Sequence, residues 1–73
     1  MPRVEGQYPE YHISDIDESG ATKYYGYVTG KGQWYIMQVT STAVRYAKGD
    51  TGYTTNWTNR ASSVSYDYFN TVF

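Results

Sequence analysis

Two runs of β-forming residues flank the tripeptide Gly30-Lys31-Gly32 in the middle of the chain. Lys23-Tyr24-Tyr25-Gly26-Tyr27-Val28-Thr29 precedes it, and Gln33-Trp34-Tyr35-Ile36-Met37-Gln38-Val39-Thr40 follows. Aromatic and β-branched residues on both arms, joined by a short glycine-bearing connection, predict a hairpin. Side chains alternate along a strand, so Tyr35, Met37 and Val39 share one face, while Trp34, Ile36, Gln38 and Thr40 share the other. The first set is wholly apolar and is predicted to meet the core. Gly26 is predicted to leave room for an aromatic ring from the neighbouring strand.

Further along, Ala43-Val44-Arg45-Tyr46-Ala47 reads as a third antiparallel strand after a short turn at Ser41 and Thr42. Residues 48–52 have loop composition, and residues 53–60 are expected to form an ordered loop carrying Trp57 inward, with a further strand as the other reading. The tail is open between a strand aligning Val64, Tyr66 and Tyr68 and a helical turn clustering Phe69, Val72 and Phe73. At the other end, residues 1–19 show no helical stripe and carry both prolines, which suggests an extended N-terminal arm, with a disordered tail as the alternative and a weak strand over residues 11–16 within it. The expected architecture is therefore all-β: residues 20–73 as one small antiparallel meander, a sheet or barrel built on the hairpin, with residues 1–19 as the arm. The expected core is Tyr35, Met37, Val39, Val44, Tyr46, Trp57 and Phe69.

A chain of 73 residues buries only about 60% of its unfolded surface, and small domains of this kind usually need reinforcement. The absence of Cys removes disulfides and the commonest zinc sites, which leaves assembly as the expected reinforcement. No leader-like segment and no apolar run of about 20 residues is present, so a soluble product of a cytosol with no membrane partner is expected. Six basic residues are dispersed and the net charge is −1, which argues against nucleic acid as a partner. Ten Tyr, two Trp and two Phe supply apolar bodies with polar tips, a composition suited to strands and interfaces.

Residues able to carry chemistry are sparse. His12 is the single histidine and no serine sits in a nucleophile elbow, so no catalytic residue and no cofactor is expected. Asp15-Ile16-Asp17-Glu18-Ser19-Gly20 resembles the first half of a calcium loop, but Gly26 stands where the closing bidentate Glu belongs. An acidic turn is the simpler reading, and no metal is assigned to Asp15 and Asp17. Asn56-Trp57-Thr58 matches a glycosylation tripeptide and is read as chance, without a secretory context.

The spacing Tyr24-Tyr25-Gly26-Tyr27, then Gly32-Gln33-Trp34-Tyr35-Ile36-Met37, Arg45-Tyr46-Ala47-Lys48-Gly49, Tyr53, Asn56-Trp57-Thr58-Asn59-Arg60 and Tyr66-Asp67-Tyr68-Phe69 resembles small β-rich structural (virion) proteins of tailed bacteriophages. The resemblance covers residues 24–73, about two thirds of the chain. It implies a non-enzymatic virion component made in the host cytoplasm and present in many copies on a capsid, tail or fibre, with other virion proteins as partners; it implies no particular site residues. From the residues themselves, Tyr8, Tyr11, His12 and Ile13 are the expected interface, in a homo-oligomer or larger assembly. A carbohydrate or host-surface module stacking sugars on Tyr24, Trp34 and Trp57 is the alternative, and a small nucleic-acid-binding β-barrel comes third.

Overall fold

A computed structural model of the chain describes residues 10–73. Four antiparallel strands form a meander in the order β1-β2-β3-β4: β1 is His12–Asp17, β2 Lys23–Val28, β3 Trp34–Val39 and β4 Val44–Gly49. Two short helices follow, α1 at Tyr53–Thr58 and α2 at Phe69–Val72. The all-β class expected from the sequence holds, as an open sheet rather than a barrel. Strand β1 lies inside the stretch read as an arm and is an integral edge strand, paired with β2 from His12 opposite Val28 to Asp17 opposite Tyr24.

The register places Tyr24, Gly26, Val28, Trp34, Ile36, Ala47 and Gly49 on one face. That face is covered by α1 and the chain after it, which together form a lid of residues 51–66. Tyr24, Trp34, Ile36 and Ala47 are buried there, and Tyr53, Trp57, Val64 and Tyr66 pack over them. Among the described residues Ile36 is the one large side chain that is fully buried. The inward direction is thus the reverse of the sequence expectation. Tyr35, Met37 and Val39 lie on the opposite face and are half-buried, as is Tyr46, while Val44 and Phe69 are exposed. Of the expected core residues only Trp57 packs against the buried cluster.

Gly26 makes room for the lid, and Gly49 makes room for the Trp34 ring of the neighbouring strand. A Cβ on Gly26 would overlap the Tyr53 hydroxyl and come within 3.0 Å of the Trp57 ring. A Cβ on Gly49 would lie 2.7 Å from the Trp34 indole. Contacts this close force neighbours to shift, so both rings settle only where the backbone offers hydrogen. The ring above Gly26 comes from α1, and not from a neighbouring strand as the sequence suggested.

The segment expected as a loop around Trp57 is helix α1. Its Thr, Asn, Tyr and Trp residues are weak helix formers, but Tyr53 and Trp57 stand one turn apart and bring both rings to the sheet. Polar bonds hold the lid at its ends. The Trp34 indole N–H donates to the Thr51 carbonyl at 2.7 Å, and the Tyr53 hydroxyl donates to Asp15 Oδ2 at 2.7 Å. Arg60 donates to Asp17 Oδ2 through Nε at 3.1 Å and Nη2 at 2.8 Å, while its Nη1 reaches the Trp57 carbonyl at 2.7 Å. In the tail the helical turn forms, as α2, and the strand reading of Val64, Tyr66 and Tyr68 reduces to a single bridge between Asp67 and Tyr46 on the edge of β4.

Strand β1 contains a bulge. Ile13 opposes Tyr27 and Asp15 opposes the next residue, Gly26, so Ser14 is the extra residue. The insertion changes the phase of the strand. Ile13 and Ile16 fall on the open face, while Asp15 and Asp17 turn toward the lid, where Tyr53 and Arg60 receive them.

Candidate interaction surface

The open face is assembled from the register alone. Ile13 and Ile16 of β1, Tyr25 and Tyr27 of β2, Tyr35, Met37 and Val39 of β3, and Val44 and Tyr46 of β4 all project to it. Lys23 and Lys48 are the strand cations on this side, at opposite ends of the sheet. Helix α2 wraps beneath the β4 edge and adds two rings. Phe69 packs edge-on to Tyr46 at 5.2 Å between centroids, and Phe73 packs edge-on to Tyr35 at 5.3 Å.

The rings make a continuous array. Tyr27 stacks on Tyr35 at 4.5 Å, Tyr11 meets Tyr35 edge-on at 4.9 Å, and Phe69 stacks on Phe73 at 4.6 Å. Such pairs stabilise by about 0.5–1.5 kcal/mol each beyond their buried area. They also consume ring faces. A sugar or a base stacks on a free face, and the Tyr27–Tyr35 and Phe69–Phe73 stacks each take one face of both their rings.

The Lys48 ammonium lies 5.0 Å from the Phe73 ring centroid at the margin of the array. Arg45 projects to the other face, opposite Gln38, with its guanidinium 4.0 Å from the Tyr68 ring centroid. Tyr25 donates to Glu18 at 2.6 Å, and this carboxylate pushes the phenol pKa up. At the centre, partial burial among Tyr27, Tyr46 and Tyr11 raises the Tyr35 pKa to about 12, so its hydroxyl stays neutral throughout the physiological range.

The residues singled out in the sequence divide between the faces. Tyr8 lies outside the described residues. Tyr11 and Ile13 reach the open face, while His12 is exposed and points to the lid side, opposite Val28. The sugar-stacking set does not form an open platform: Tyr24 and Trp34 are buried, and half-buried Trp57 has the Arg60 guanidinium 4.3 Å above its ring. Asp15 and Asp17 are strand residues with internal partners rather than ligands in a loop. Asp17 accepts from the Ser19 hydroxyl at 2.6 Å, from the Ser19 amide and from Arg60, and these bonds lower its pKa to about 2. Among the described residues no cluster of three metal-ligating side chains occurs.

Sequence reasoning missed Tyr27, Tyr35, Tyr46, Phe69 and Phe73 as surface residues. The signal that could have found them is the pair Gly26 and Gly49, which mark the other face as the one that accepts large rings, from the lid above Gly26 and from Trp34 of β3 above Gly49. Comparison with protein-family models, characterised proteins and solved structures finds no match to this chain.

Proposed function

We propose that this chain is a non-enzymatic structural protein of a tailed-bacteriophage virion, a capsid-decoration or tail and fibre component that binds copies of itself and neighbouring virion proteins. The observation that carries the binding part is the open face: a strip of aromatic and aliphatic side chains spans all four strands, with lysines only at its ends. A sheet normally buries an apolar face against a second layer, and here that layer is supplied by a neighbour. The virion setting comes from the likeness of the aromatic and glycine spacing to small phage structural proteins. The lid-side interior is small, with Ile36 alone fully buried, so association would contribute stability that the single chain lacks.

The experiment is solution mass by light scattering across a concentration series, with far-UV circular dichroism, for the natural chain and for Tyr27→Ser. A folded oligomer is expected for the natural chain, and smaller species for the variant with its β spectrum unchanged. A folded natural chain that stays monomeric at every concentration would overturn the reading.

A further inference from the structure

The two edges of the sheet are finished differently. On the outer edge of β4, Tyr46 and Asp67 exchange both backbone hydrogen bonds at 2.8 Å. On β1, no described residue pairs with the outer edge, and this edge carries Ile13 and Ile16, which are 51% and 58% exposed.

The bulge gives β1 a symmetrical pattern. His12 points to the lid side and Ile13 to the open face. Ser14 and Asp15 both point to the lid side: the Ser14 hydroxyl donates to Asp15 Oδ2 at 3.0 Å, and the same oxygen accepts from Tyr53. Ile16 returns to the open face and Asp17 to the lid side. Read backwards, the order of faces is the same. A strand that pairs with its own copy about a two-fold axis needs this property, because residues directly opposite in an antiparallel pair project to the same side. Without the extra residue, Ile13 and Ile16 would stand on opposite faces and this register would fail.

We propose that two copies of the chain join edge to edge by antiparallel pairing of β1 with β1, setting His12 opposite Asp17, Ile13 opposite Ile16 and Ser14 opposite Asp15 of the second copy. The inference deepens the assembly reading above and rests on it. The seam gathers the exposed isoleucines of both copies on the open face. On the lid side it sets an imidazole against a carboxylate and a hydroxyl against a carboxylate, so no like charges meet directly. Acidic residues and a bulge ordinarily keep foreign strands off an edge. Here the same features select one partner and one register, since an arbitrary strand cannot match the doubled lid-side pair at the centre.

The chain has no cysteine, so introduced thiols report on the register directly. Ile13→Cys and Ile16→Cys are prepared separately, checked for β structure by circular dichroism, and oxidised alone and as an equimolar mixture. Opposed positions come within disulfide reach, whereas Ile13 lies two ladder positions, roughly 7 Å along the strand, out of step with Ile13 of the second copy, which puts the two beyond that reach once the spacing between strands is added. Cross-linked dimer is expected in the mixture and in neither variant alone. Cross-linking of a single variant as strong as that of the mixture, or none in the mixture, would overturn the pairing. If the mixture fails while the natural chain still forms oligomers sensitive to Tyr27→Ser, the edge inference falls and the assembly reading stands. A natural chain that is monomeric throughout removes both.

Discussion

The two faces of the sheet spend their aromatic residues in opposite ways. On the lid side, Trp34, Tyr53, Trp57 and Tyr66 converge on Ile36, and their polar tips are tied down: the Trp34 indole to Thr51, the Tyr53 hydroxyl to Asp15 and the Tyr66 hydroxyl to the Arg60 carbonyl. On the open side, Tyr11, Tyr27, Tyr35, Tyr46, Phe69 and Phe73 lean on one another, with no layer above them among the described residues. One face therefore holds the packed interior of the monomer, and the other is the one proposed above for contacts. Aromatic content alone does not separate the two roles; the separation comes from the glycines beneath the rings and the polar partners at their tips.

The sharpest way to break this comparison is Ile36→Ala, which removes the single fully buried large side chain. It should cost about 2–5 kcal/mol, a large part of the total stability of a domain this size, and should collapse the denaturant midpoint. Gly26→Ala comes next. The added methyl meets the Tyr53 and Trp57 rings and should destabilise by about 1–3 kcal/mol, with the Trp fluorescence spectrum reporting displacement of the lid. By contrast, Ile16→Thr on the open face, at a residue that is 58% exposed, should change monomer stability by about 0.5 kcal/mol or less, read from the same denaturant curves, while lowering the oligomer mass.

Titration sharpens the contrast in both directions of pH. Burial raises the pKa of Tyr53 and Tyr66 on the lid side above that of Tyr35. A tyrosine with a raised native pKa keeps its proton when folded but releases it near 10 when unfolded, so its contribution is complete below pH 10 and is lost as pH rises toward 12 and beyond. Denaturant midpoints should therefore fall above pH 10, and the slope should flatten more for Tyr66→Phe than for Tyr35→Phe. In acid the sign is reversed. Asp17 is held near 2, so its contribution is complete above its ordinary value of 3.8 and is lost as pH falls through 2. The exposure of this pair to solvent keeps the effect the smallest of the set, and it should shrink further in Arg60→Gln, measured by thermal midpoints between pH 4 and pH 2.

Much of the sheet was legible in the sequence. The hairpin arms were read as residues 23–29 and 33–40 and are Lys23–Val28 and Trp34–Val39; the third strand was read two residues short, because Lys48 and Gly49 have loop composition. The choice of inward face was not legible from alternation. Periodicity separates Tyr35 from Ile36 but does not say on which side a later segment will land. That landing is a tertiary fact, set by room above Gly26 and by the reach of Tyr53 and Arg60 to β1. Helix α1 was hidden for a related reason, since its residues favour strands locally and its helix is held by what it covers. The bulge left no mark either: only the observed register shows that Ser14 is supernumerary.

The order of the strands has a consequence for folding speed. Every sheet neighbour is also a sequence neighbour, and the last strand closes at Gly49. Each pairing therefore closes only a short loop, whereas the bonds that fasten residues 51–66 to β1 span 38 and 43 positions, from Tyr53 to Asp15 and from Arg60 to Asp17. Loop-closure entropy rises with separation, so the sheet can assemble quickly from local contacts and its cover is the slower, longer-range step that completes it.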